Sequence, residues 1–101
     1  MPNVTQYLVA CYGTADGYQD SRAQIELMDG ASVLGYVRFH DPEMPFPDDS
    51  KSGGQIIMHL PSTMFESVLN ILRNEKPIDY YFHAKHAFLG TSTVEPVGEA
   101  E

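Results

Sequence analysis

Four histidines, one cysteine and 14 carboxylates are the groups in this 101-residue chain that could move protons, hold a metal or attack a substrate. His83 and His86 bracket Ala84-Lys85. If those two residues form a tight turn, the imidazoles face each other across a hairpin with Cβ atoms roughly 5 Å apart, close enough to be two ligands of one Zn²⁺ or Cu²⁺ ion. A catalytic zinc needs three protein ligands, and Asp79, His40 or His59 would have to complete the set. Two-residue hairpin turns favour Asn and Gly, so Ala-Lys also allows a longer loop and a shifted pairing.

His40-Asp41 ends an apolar run and opens a polar one, a place where catalytic groups often sit. Adjacent strand residues point to opposite faces, so Asp41 is badly placed to orient the His40 ring. Cys11 lies in the apolar stretch Tyr7 to Tyr12. A thiol there is expected to behave as a small buried hydrophobe rather than a nucleophile. There is no GxSxG elbow, no GxGxxG and no GxxxxGK[ST]. No complete catalytic set emerges, and no cofactor is called for.

The carboxylates are unevenly placed. Residues 41 to 54, DPEMPFPDDSKSGG, hold Asp41, Glu43, Asp48 and Asp49 around Met44-Pro45-Phe46-Pro47. Their spacing departs from an EF-hand loop. An apolar Met-Pro-Phe-Pro core inside an acidic rim reads instead as an anchor for a basic partner, with Phe46 entering a pocket and the charges steering the approach. Tyr36 and Arg38 share the outward face of one strand, and Tyr81 shares a face with His83. Tyr and Arg are enriched at interface hot spots, so these three extend the candidate partner surface.

The elements that must position these groups follow from periodicity. Thr5 to Gly13 is apolar on both faces and predicts a central, doubly covered strand. Ser21 to Leu27 alternates cleanly, with Ala23, Ile25 and Leu27 inward. Asp29-Gly30 turns it into Ser32 to His40, giving a β-hairpin. After the 41–54 loop, Gln55 to Leu60 predicts a fourth strand. A helix follows, opened by Thr63 and Glu66 as a capping box, with Phe65, Val68, Leu69 and Leu72 on one face. Pro77 stops it by Glu75. Ile78 to His83 and His86 to Val94 predict two closing strands, and Glu95 to Glu101 an acidic flexible tail.

The order β-β-β-loop-β-α-β-β predicts an α+β domain over residues 1–94, with about six antiparallel strands as a roll or partly open barrel on one helix. The formal net charge of −8 and six scattered cations argue against nucleic acid and anionic membranes. The absence of a basic n-region and of a long apolar run predicts a cytoplasmic protein. Leu72-Arg73-Asn74-Glu75-Lys76-Pro77 and Glu95-Pro96-Val97-Gly98-Glu99 resemble segments of small bacterial proteins that carry a domain of unknown function. That resemblance implies a bacterial cytosolic protein and transfers no catalytic residue.

The leading expectation is a non-enzymatic protein-interaction domain, its partner another protein or a second copy of this chain. Two alternatives stand beside it. One is a small metal-dependent or acid–base enzyme built on the histidines, and the other is an acidic inhibitor or immunity-type protein.

Overall fold

A computed structural model describes residues 3–91 and Val97. Its elements in chain order are β1 (Gln6–Cys11), β2 (Ala23–Asp29), β3 (Ser32–His40), β4 (Ser50–Ser52), β5 (Gln55–Pro61), a 3₁₀ turn (Ser62–Met64), α1 (Phe65–Asn74), β6 (Ile78–His83) and β7 (His86–Thr91). The fold is α+β, as its sequence pattern predicts, but the sheet differs. Five strands form one mixed sheet in the order β1-β2-β3-β5-β4, and β6 with β7 forms a separate two-stranded ribbon. The expected single antiparallel sheet is therefore corrected, and neither sheet closes into a barrel. The acidic tail and the last residues of the expected closing strand, 92–94, lie outside the described residues, Val97 excepted.

The correction originates in the 41–54 segment. The chain leaves β3, passes over the position β5 will occupy, and forms β4 at the sheet edge. Gly53 and Gly54, with φ of 59° and 81°, then make a two-residue turn of the primed type. β5 returns between β4 and β3, antiparallel to the first and parallel to the second. Parallel neighbours need a long connection, usually a helix; here a loop and a three-residue strand serve.

One sheet face carries the core. Ala23, Ile25 and Leu27 of β2, Val37 and Phe39 of β3, and Ile56 and Met58 of β5 are buried with Val68 and Leu72 of α1 and Ile78, Tyr80 and Ala87 of the ribbon. The inward alternation of β2 and the apolar stripe of α1 are thus as predicted. β1 is not central. It is an edge strand that packs on the core only at Tyr7 near its start, leaving Leu8 61 % exposed and Val9 and Cys11 on the surface. Cys11 is consequently an exposed free thiol rather than a buried hydrophobe.

Gly35 marks the tightest point of the β3–β5 seam. A Cβ there would lie 1.9 Å from the Ile56 carbonyl oxygen, and its φ is +151°. Tyr80 reaches this seam from the ribbon. Its hydroxyl donates to the Tyr36 carbonyl at 2.6 Å and approaches that of Ile56 at 3.3 Å.

The capping box is also corrected. Ser62–Met64 winds as a 3₁₀ turn, and the extended residue before it is Pro61, which has no side-chain acceptor. A side-chain cap needs an extended N-cap residue, whereas Met64, before α1, is helical with φ −87° and ψ −2°. The helix ends as expected, with Glu75 extended and its N–H on the Ile71 carbonyl. Among the described residues no helix is long and apolar enough to cross a membrane.

Two outcomes test this packing. Leu72, 9 % exposed, should cost about 2–5 kcal/mol of unfolding free energy when replaced by Ala, measured by urea denaturation; a loss under about 0.5 kcal/mol would mean that α1 is not docked on the sheet. Ala84 and Lys85 hold the β6–β7 turn at φ 53° and 69°. Replacing them by Asn-Gly should stabilise the fold by about 1 kcal/mol in the same assay.

Candidate functional site

The parallel pairing of β3 and β5 places the carboxyl ends of two strands side by side, and a histidine stands near each end. Arg38 registers with His59 and His40 with Pro61, so His40 and His59 are diagonal neighbours on the face turned away from the core. His40 Nε2 lies 2.8 Å from His59 Nδ1, and His40 Nδ1 meets the Asp20 carbonyl oxygen. His40 is only 2 % exposed. Phe46 from the 41–50 loop covers it, the two ring centroids 5.3 Å apart.

That loop is fixed at both ends. At its start, Arg22 Nε donates to Asp41 Oδ2 at 2.8 Å while the rest of the guanidinium takes the carbonyls of Tyr12, Thr14 and Ala15. The Arg22 guanidinium first, and then the Ser62 hydroxyl, hold the Asp41 carboxyl below the usual carboxylate range. At its other end, Asp49 accepts the backbone N–H of His59 at 2.8 Å and that of Ala87 at 3.0 Å. One carboxylate therefore ties the loop to both β5 and β7. Between these anchors Glu43, Phe46 and Asp48 are displayed to solvent, with Phe46 54 % exposed. Met44 tucks under the loop and accepts the Asp41 N–H at sulfur.

The anchors open a cleft of about 720 Å³ between the 46–51 segment and the β6–β7 turn. Phe46, Asp48, His59, Phe82, Lys85 and His86 line it. Burial and then the neighbouring His40 imidazole push the His59 pKa down, with Arg38 adding to the effect; Asp49 and Asp48 oppose it. His59 is thus biased toward the neutral ring.

Six of the nine residues expected to meet a partner, Asp41, Glu43, Met44, Phe46, Asp48 and Asp49, fall in one locality, but they divide by role. Asp41, Met44 and Asp49 hold the loop, and Glu43, Phe46 and Asp48 face outward. Tyr36 and Arg38 do not join them in a patch with Tyr81. Arg38 lies over the Tyr36 ring at 5.8 Å and bonds Gln24, on the outer sheet face. Tyr81 stacks on Phe88 on the outer face of the ribbon.

His83 and His86 stand directly opposite each other across a two-residue turn, the tighter of the two arrangements their spacing allows. The metal reading still loses its third ligand. Among the described residues no group of three or more His, Cys, Asp or Glu side chains is placed to hold a metal ion. The His40–His59 pair is the feature that sequence reading misses. Its only signal is that each histidine stands two residues before a proline, Pro42 or Pro61.

No family model matches this chain, and no curated protein or solved structure matches it either.

The depressed His59 value sets a pH dependence. A group whose folded pKa is lowered contributes stability fully above its ordinary value, 6.5, and loses it as the pH falls toward the folded value. Asp41 has the same sign, but its loss begins only below 3.8. The thermal midpoint should therefore fall between pH 7.5 and 5, and His59→Gln, which keeps an N–H for His40, should fall less. Scanning calorimetry of both proteins reads the difference, and equal slopes would remove His59 as the source.

Proposed function

We propose that this chain is a protein-interaction domain that grips a partner segment at the Phe46 cleft. The observation that carries the reading is Phe46 itself, more than half exposed on a loop anchored at Asp41 and Asp49. A large apolar ring held ready in solvent costs the free protein surface energy and spares the complex the ordering of a floppy loop. Glu43 and Asp48 beside it, in a chain of net charge −8, steer a segment whose flanks are basic. The expected contribution of Tyr36, Arg38 and Tyr81 is set aside, because Tyr36 and Arg38 are engaged with each other and Tyr81 lies on another surface.

Excising residues 41–51 would remove the Asp41 and Asp49 anchors and part of β4, so point changes at exposed positions are the better test. Immobilised protein should capture a partner from lysate, and the combined variant Glu43→Lys, Phe46→Ala, Asp48→Lys should lose it while keeping the wild-type circular dichroism. Added salt should weaken capture by the unaltered protein. Undiminished capture by the variant would overturn this reading.

A further inference from the structure

The direction of the histidine hydrogen bonds can be deduced. A carbonyl oxygen only accepts, so the Asp20 carbonyl requires a hydrogen on His40 Nδ1. In the neutral ring His40 Nε2 then carries a lone pair and accepts, and its partner 2.8 Å away, His59 Nδ1, must donate. His59 Nε2 is left as a bare lone pair. It has no hydrogen-bond partner among the described residues, and no unpartnered polar side-chain atom among them is shut away from solvent. The Asp20 backbone carbonyl thus fixes, through the buried His40 ring and then the His59 ring, an acceptor nitrogen on a residue that lines the cleft.

The rest of the lining narrows what that acceptor can meet. Lys51 and Lys85 balance Asp48 and Asp49, so the cleft is locally neutral inside an acidic molecule. An ammonium ligand would face the two lysines, and a carboxylate or phosphate would face the two aspartates and a nitrogen with no proton to share. Phe46 and Phe82 present apolar rings. We propose that the cleft recognises a phenol, a flat aromatic ring whose single hydroxyl donates to His59 Nε2. The cavity, about 720 Å³, has room for the ring and the group that carries it. The phenol is either a tyrosine side chain of a partner or a free small molecule. The inference rests on the cleft being the binding surface and names its ligand chemistry.

The test uses the full chain, isotopically labelled, at pH 7.5. Titration with p-cresol should shift resonances around the 46–51 segment and the β6–β7 turn. 4-Methylanisole, the same ring with its donor methylated, should bind about tenfold more weakly, the effect of one hydrogen bond to an otherwise unpaired acceptor. Long-range ¹H–¹⁵N spectra of the unliganded protein should show His59 protonated at Nδ1. His59→Phe should abolish the preference for p-cresol, and the ligand comparison on the unaltered protein stands even if that variant does not fold. Tighter binding of N-acetyl-tyrosinamide than of p-cresol assigns the site to a partner's tyrosine, and the reverse assigns it to a free phenol. Equal binding of p-cresol and 4-methylanisole, or an Nε2–H tautomer at His59, overturns the inference and leaves partner capture untouched. Phenol discrimination accompanied by undiminished capture in the Glu43, Phe46, Asp48 variant would overturn the protein-binding reading alone.

Discussion

The Tyr80 hydroxyl is the group on which the arrangement turns. It enters the core from β6 and donates into the seam between β3 and β5, where Gly35 lets the Ile56 backbone approach more closely than any side chain would allow. Burial pushes its pKa far above the ordinary phenol value, which favours the protonated, donating form. A buried hydroxyl without a partner costs about 1–3 kcal/mol on mutational scales. The ribbon is therefore selective about where it docks: it must set Tyr80 over this one pair of carbonyls. With the ribbon in register there, Ala87 comes within reach of Asp49, and the cleft acquires its second wall.

The acidic segment changes meaning in this light. Its carboxylates are not a uniform charged surface. Asp41 and Asp49 satisfy Arg22 and two backbone N–H groups, and both act on the chain's own polar groups. Charge-assisted bonds of this kind are roughly twice as strong as neutral ones. They let a proline-rich stretch with three residues of strand follow one path, and that path puts Phe46 over His40. Acidity supplies the rigidity first, and only Glu43 and Asp48 remain to act at long range.

What the sequence reveals divides along the same line. The β2–β3 hairpin, α1 and the β6–β7 ribbon are all local objects, and their periods of 2 and 3.6 residues disclose them, whereas the pairing of His83 with His86 depends on the Ala84-Lys85 turn being two residues long, which periodicity leaves open. β4 is three polar residues, Ser50 to Ser52, with no apolar period to detect; the Gly53-Gly54 turn is its only trace. β1 reads as central because both its faces are apolar, yet burial depends on how far α1 and the ribbon extend, which no property of β1 encodes. The parallel register of β3 with β5 is likewise non-local, and without it nothing marks His40 and His59 as neighbours. Loop residues of the site were thus legible by composition, whereas the histidine pair was not.

Exposed apolar groups on β1 and on the acidic loop are treated differently by the physics. Leu8 and Val9 lie on an edge strand, where open backbone groups invite any other strand and confer little selectivity. A chain of net charge −8 resists such pairing between its own copies, since the repulsion grows as they approach within a Debye length of about 10 Å. Phe46 is different because its surroundings are specified: an imidazole beneath it, a lone pair on His59 and opposed charges along the walls. Apolar contact supplies affinity to either surface. Only the second has a directional acceptor that a wrong ligand leaves unpaired, and a buried acceptor left unpaired discriminates more strongly than lost contact area.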